Sequence, residues 1–286
     1  MTTVHVARRA VADIRSVCQY ASTGSAARWL TAFTAQAVKC ARTGSLAPAD
    51  ESWARAGARF RPAGGPVIAL PGDYTAGARE MYCRNVYLRT GLVMPRSGWV
   101  IDLGANHGLF SVWAAVAGAQ VVAVEAQQAF APVIRGLAAH NGVASRVHVK
   151  AAFAGGAATP EAITGDLTDD GRWEAASHGA GQRPGSVSVP GLMSAYQIDR
   201  IDLLKVDIEG GEFAVFGSGE DLRWLDRVDQ VVMEVHPQWG DTAVLVDRLG
   251  EHGFRVELRD NAGARVTTPK APFDYAYFSR PRPAGA

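Results

Sequence analysis

The sequence has no unbroken apolar run of the ~20 residues needed to cross a bilayer. Its longest weakly polar stretch, Leu109 to Val124, is divided by Gly118 and Gln120 into what reads as a helix and a strand. Cysteine is scarce: Cys18, Cys40 and Cys83 are odd in number and widely spaced, which excludes a disulfide framework and a zinc pattern and suits reduced thiols. Charge of one sign is also lacking. A formal net charge of +1 gives no general attraction to nucleic acid, so neither a nucleic-acid nor a membrane partner is expected. Arg8 and Arg9 are not followed by an apolar core and a small-residue cleavage site, so the expected location is cytoplasmic. No internal repeat or low-complexity segment is present. What remains is a chain of 286 residues, 48% hydrophobic, enough for one large α/β domain with an accessory segment.

The most informative stretch is Val100 to Ser111, VIDLGANHGLFS. An apolar strand carries Asp102 near its end, Gly104 permits a sharp turn, and Gly108 opens a helix whose free amides favour an anionic group. Glu125 follows Gly104 by 21 residues at the end of a second apolar run, where a carboxylate can accept hydrogen bonds from both ribose hydroxyls. These features point to an adenosine-containing cofactor. The order Gly104, Ala105, Asn106, His107, Gly108 lacks the three glycines of a dinucleotide fingerprint. An acid two residues before the first glycine favours S-adenosylmethionine over nicotinamide. The expected cofactor-binding residues are Asp102, Gly104, Ala105, Asn106, His107, Gly108, Glu125 and Ala152.

Strands and helices alternate from Trp99 onward: strands Trp99 to Leu103, Gln120 to Val124, Arg146 to Ala152, Ser186 to Val189, Ile201 to Val206, Gln230 to Val235, Phe254 to Leu258 and Asp274 to Phe278. Helices are expected at Leu109 to Ala117, Ala129 to His140, Glu212 to Gly217 and Thr242 to His252. That alternation means right-handed βαβ units and a parallel sheet. Ligands of such sheets sit beyond the carboxyl ends of the strands. Asp207, Glu209, Glu234 and His236 lie at those ends and are the catalytic candidates. Either Asp207 or His236 can serve as general base for an acceptor hydroxyl. No metal is expected; in the metal-dependent alternative Asp207, with Glu209 or Glu234, would hold a divalent cation. A structural ion pair between Lys205 and Glu234 is the plainer reading of the same residues.

VIDLGANHGLF, the Glu125 strand end, Ile201 to Glu212 (IDLLKVDIEGGE) and Val232 to Pro237 (VMEVHP) resemble, in order and spacing, the FkbM family of S-adenosylmethionine-dependent methyltransferases. The resemblance covers about Glu80 to Ser279, including RNVYLRTGL at Arg84 to Leu92, and is weak before Ala63. His107 stands where the family often has an apolar residue, and Gly211 where alanine is common. The resemblance implies a Rossmann-like class I methyltransferase fold, an α/β fold with a mostly parallel seven-stranded sheet and helices on both faces. It also implies O-methylation of small natural products or saccharides. Amine or carboxylate acceptors are the alternative within the class; a nicotinamide oxidoreductase or a cofactor-binding regulator are alternatives outside it.

Residues 1–66 are expected to form an N-terminal helical extension and connector, 67–280 the methyltransferase domain, and 281–286 a tail. Val11, Ile14, Val17 and then Leu30, Phe33 and Ala37 recur at helical spacing, predicting two helices, with Thr43 to Pro66 as connector. Residues 1–49 carry six Lys and Arg against Asp13 alone, so a lid or a homodimer contact is the expected role of these helices. Thr75 to Thr90 is predicted as a helix over the crevice, and Gly155 to Gly185 as a hairpin with a mobile loop.

Overall fold

The computed structural model describes residues 3–72, 77–155, 165–167, 173–175, 185–217 and 219–280. The chain opens with helices α1 (Thr3–Tyr20), α2 (Thr23–Ala35), α3 (Ala37–Thr43) and α4 (Ala47–Ala56), followed by the antiparallel pair β1 (Ala58–Phe60) and β2 (Ile68–Leu70). A π-helical segment, Arg79–Arg84, leads into the alternating region. There β3 (Trp99–Leu103), α5 (Leu109–Ala117), β4 (Gln120–Glu125), α6 (Phe130–His140) and β5 (Val147–Ala151) form two successive βαβ units. The short strands β6 (Phe153–Ala154), β7 (Gly165–Leu167), β8 (Trp173–Ala175) and β9 (Ser186–Val187) precede α7 (Val189–Ala195). The chain continues with β10 (Leu203–Val206), α8 (Glu212–Val215), β11 (Gln230–Glu234), α9 (Thr242–Glu251), β12 (Arg255–Arg259), β13 (Arg265–Val266) and β14 (Tyr275–Ser279).

The main sheet runs β13-β12-β14-β11-β10-β3-β4-β5. Its five strands from β11 to β5 are parallel, and β14 inserts antiparallel between β11 and β12. This is the Rossmann-like α/β fold expected, with a correction: eight strands are present because Arg265 and Val266 fold back on β12. The strand order reverses at β3, where β4 lies on one side and β10 on the other. That reversal opens the crevice at the carboxyl ends of β3, β4 and β10.

Alternation along each strand splits the core in two. Val100, Val121, Leu203, Val232 and Tyr277 face α5, α6 and the N-terminal helices, whereas Ile101, Val122, Leu204, Val231 and Phe278 face α7 and α9. Asp102, Lys205 and Glu234 fall on the first face by the same parity, so their polar groups lie beneath the N-terminal layer. Among the described residues no helix is long and apolar enough to cross a membrane.

The N-terminal extension differs from the expectation. It contains a fourth helix, α4, where a connector was predicted, started by Pro48 in its first turn and anchored by the fully buried Trp53. Trp29, Trp53, Phe60, Tyr82 and Trp113 stack in sequence from α2 to α5, so this layer shares the core of the sheet. The apolar sides of α2 and α4 are thereby committed within the chain, unlike those of a detachable lid. The predicted helix at Thr75 to Thr90 is limited to the π turn; Asn85 and Thr90 then adopt left-handed backbone, and residues 73–76 lie outside the described residues. Val189 begins α7 instead of ending a strand. Ser188 caps that helix by accepting from Gly191 N, and Pro190 sits in its first turn, where no N–H is needed. The antiparallel pairing of Gly165–Leu167 with Trp173–Ala175 matches the expected hairpin; the rest of that loop, with His178, lies outside the described residues.

Candidate active site

The turn after β3 shows why the glycine is required. Gly104 has φ +77°, and a Cβ there would stand 1.7 Å from the carbonyl oxygen of Asp207. The close approach is first to the neighbouring strand end, and it brings Asp207 to the rim of the crevice. Gly108, at φ +81°, starts α5 against Ile134. Between them the exposed Asn106 is left-handed. Its amide donates to Glu125 Oε2 at 2.7 Å, and Gln127 N donates to Oε1 at 2.8 Å. Burial pushes the Glu125 carboxyl up, and these two amides with the Lys205 charge draw it back.

Gly104, Asn106, Glu125, Ala152, Asp207 and Glu209 line one cleft at the strand ends. Sequence-predicted cofactor and catalytic residues are thus brought together there. The other candidates stand around it. Ala105 is buried behind the turn, and His107 hydrogen-bonds Asn106 and stacks on Phe130, its pKa lowered by burial. Asp102 is fully buried, accepting from Ser111 Oγ at 2.6 Å and pairing with Lys205 at 3.2 Å. Its side chain therefore anchors the turn from beneath. A wider hollow of about 720 Å³, edged by Gly155, Ser188 and Arg227, lies beside α7. Its described lining includes Glu220, Asp221, Arg223 and Arg227, of which Asp221 and Arg223 form an exposed pair.

Lys205 is the cationic centre of the first cluster. Burial opposes its charge, but Asp102 and Asp207, at 3.2 and 3.4 Å, outweigh it and raise the pKa. It also donates to the Gly104 carbonyl at 2.6 Å. The predicted Lys205–Glu234 pair is corrected: Lys205 joins β10 to β3, since Asp102 is its register partner, while Glu234 is bonded to Tyr87. Tyr87 Oη lies 2.7 Å from Asp207 Oδ2 and 3.0 Å from Glu234 Oε2, with its ring over Lys205. Burial, and then the Asp207 charge, push Glu234 up to about 8.

The second cluster surrounds His236. Its Nδ1 is 2.9 Å from Glu212 Oε1 and its Nε2 is 3.2 Å from Glu209 Oε2. Burial works against the proton, yet the Glu212 bond and the charges of Glu212, Glu209 and Asp207 raise the imidazole to about 9. A proton held by Glu212 and Glu209 favours the cationic form of His236, so of the two candidate bases Asp207 is the less encumbered. Burial likewise raises Glu209, against the pull of His236. Ligand atoms of Asp207, Glu209 and His236 come within 4.8 Å of one another, a grouping that could hold a metal ion.

Sequence reasoning passed over Tyr87 and Glu212. Tyr87 enters the sequence reading only within RNVYLRTGL and the helix predicted over the crevice; it is buried against Phe110 and Tyr275, and its hydroxyl reaches both carboxylates. Glu212 was read only as a helix start; its signal is the spacing Glu209, Gly210, Gly211, Glu212, which folds the second acid back beneath the strand end, where it accepts from Gly210 N.

Residues 102–256 match the family model described as the Methyltransferase FkbM domain. The chain is 30% identical to the AMB antimetabolite synthetase AmbE of Pseudomonas aeruginosa, over 75% of this chain and 12% of that protein, so it spans about an eighth of that relative. It is 28% identical to the 31-O-demethyl-FK506 methyltransferase FkbM of Streptomyces tacrolimicus, over 62% of this chain and 80% of that protein. Among solved structures, a rRNA methylase from Streptococcus thermophilus matches at 11% identity and a TM-score of 0.41, covering 70% of this chain and 95% of that one.

Proposed function

The chain belongs to the FkbM family of methyltransferases, and we propose that it transfers the methyl group of S-adenosylmethionine to a hydroxyl of a small molecule. The observation that carries this reading is the shared cleft: Glu125, suited to a ribose, and Asp207, suited to a proton, line the same space. The Streptomyces tacrolimicus relative, a 31-O-demethyl-FK506 methyltransferase, supports an oxygen acceptor.

The residues fit the cofactor. Each Glu125 oxygen keeps a lone pair beyond its amide bond for a ribose hydroxyl, and Val124, Ala152 and Phe153 give an apolar wall for a base. When bound, S-adenosylmethionine supplies an electrophilic methyl on a sulfonium. The protein's task is then to orient an acceptor oxygen within about 3 Å of that carbon and to remove its proton. Asp207 is placed to take it, because it alone both lines the cleft and touches Tyr87 and Lys205. Lys205 pairs with Asp207 at 3.4 Å, and His236 holds Glu209 at the rim.

The test is incubation of the full chain with methyl-labelled cofactor and hydroxylated metabolites from a cell extract, followed by mass spectrometry. A label on a metabolite oxygen is the expected result. Label on nitrogen or carboxylate alone, or on none, contradicts the reading.

A further inference from the structure

The Tyr87 hydroxyl has one proton and two carboxylates within reach, Asp207 at 2.7 Å and Glu234 at 3.0 Å. It can donate to only one of them at a time, so the second contact is a hydrogen bond only when that carboxyl itself carries a proton. The Tyr87 ring is buried, and the Lys205 ammonium lies 5.3 Å from its centroid. Leaving both carboxylates charged beside Asp102 would bury excess negative charge. The phenol therefore sits between a carboxylate at the cleft and a carboxyl behind it, in a geometry that accommodates the proton on either side.

We propose that Tyr87 is a proton conduit between Asp207 and Glu234, and this rests on the hydroxyl-acceptor reading above. The acceptor's proton moves to Asp207, and the electron pair it leaves on oxygen forms the bond to the methyl carbon as the methyl–sulfur bond breaks, that bond's pair departing with the sulfur as a neutral thioether. Tyr87 passes its own proton to Glu234 and takes the one on Asp207. The net change is one proton from the acceptor to Glu234; Asp207 and Tyr87 end as they began. Glu234 is a proton store and Tyr87 a positioning and relay residue, since Asp207 alone meets the acceptor.

The groups facing Glu234 are Lys205 from β10 and Asp207 just after it, His236 beyond its own strand, Tyr87 and Glu80 from the segment after β2, and Tyr275 and Tyr277 from β14. Burial and Asp207 dominate, which sets its titration near 8, so the store is open to a proton only as pH rises toward that value.

The experiment uses the full chain with S-adenosylhomocysteine bound, read by infrared titration of protonated carboxyl groups, and the pH profile of labelled methyl transfer to the extract. A carboxylic-acid band should vanish through about pH 8, be absent in Glu234→Gln, and shift its midpoint in Tyr87→Phe, which keeps the ring. Transfer should rise through the same pH range. In Tyr87→Phe the rise should be lost and the rate fall at least ~tenfold, the low end of proton-transfer catalysis, with S-adenosylhomocysteine affinity unchanged. A Tyr87→Phe enzyme with the normal rate and profile, or a band that persists in Glu234→Gln, overturns the relay alone. A chain that binds S-adenosylhomocysteine but labels no hydroxyl overturns the hydroxyl-acceptor reading and the relay with it.

Discussion

His236 Nδ1 lies 2.9 Å from the fully buried carboxylate of Glu212, whose same oxygen accepts from the His236 backbone amide at 2.8 Å. The side chain two residues beyond β11 is thus fastened to the first residue of α8. A buried carboxylate keeps its charge only with such a partner, and the imidazole is raised to about 9 in return.

That linkage has a sign. A histidine whose folded pKa is raised contributes stability that is full below its unfolded pKa near 6.5 and is lost as pH rises through about 9. Thermal melts of the full chain should fall in midpoint across that window. Glu212→Gln keeps an oxygen for the backbone amides but removes the charge, so it should flatten the dependence and lower the His236 titration seen by NMR. An unchanged histidine titration in that variant contradicts the ion pair.

Asp13 of α1 accepts from Arg79 at 2.8 Å and from Arg84 at 2.6 Å, and Asp50 of α4 holds the other edge of Arg79. Asp13→Ala leaves two largely buried guanidiniums short of a partner, a change worth roughly 3 kcal/mol or more. Denaturant titration checks the magnitude. A change under about 0.5 kcal/mol, the scale of an ordinary surface site, contradicts the buried network.

Gly104→Ala should cost far more than a glycine-to-alanine change at an ordinary loop. Its Cβ would meet the Asp207 carbonyl oxygen at 1.7 Å, in a left-handed conformation that alone costs roughly 1–2 kcal/mol. Loss of soluble folded protein or of S-adenosylhomocysteine binding is expected. Native stability and affinity together would show that the turn can open without consequence.

The cofactor half of the site was legible because it depends on local order: Asp102, Gly104 and Glu125 sit at strand ends, and two apolar runs announce those ends. The pairing of Asp207 and His236 on neighbouring strands followed from the same alternation. The polar partnerships were not legible. Lys205 chose Asp102 because parallel register puts them side by side, and register across non-sequential strands leaves no trace in spacing. The strand expected over Ser186 to Val189 hides the helix that Ser188 caps, and the role of Tyr87 emerges only when the fold brings it to Asp207, 120 positions along the chain. The eighth strand, two residues long, is below what periodicity can register.

Asp207→Asn should lower kcat by about 10² or more, the usual contribution of a general base. Steady-state assays on the acceptor found in the extract measure it. Less than a tenfold loss would move proton removal to Glu209.

Calorimetric titration of the wild-type chain, Glu125→Ala and Asp207→Asn with S-adenosylhomocysteine tests the central claim most directly. The wild type and Asp207→Asn should bind alike, while Glu125→Ala should bind weaker by about 1.5–3 kcal/mol, the range for hydrogen bonds to a charged group. No binding by the wild type, or equal affinity in a folded Glu125→Ala protein, would contradict a cofactor site at the ends of β3 and β4.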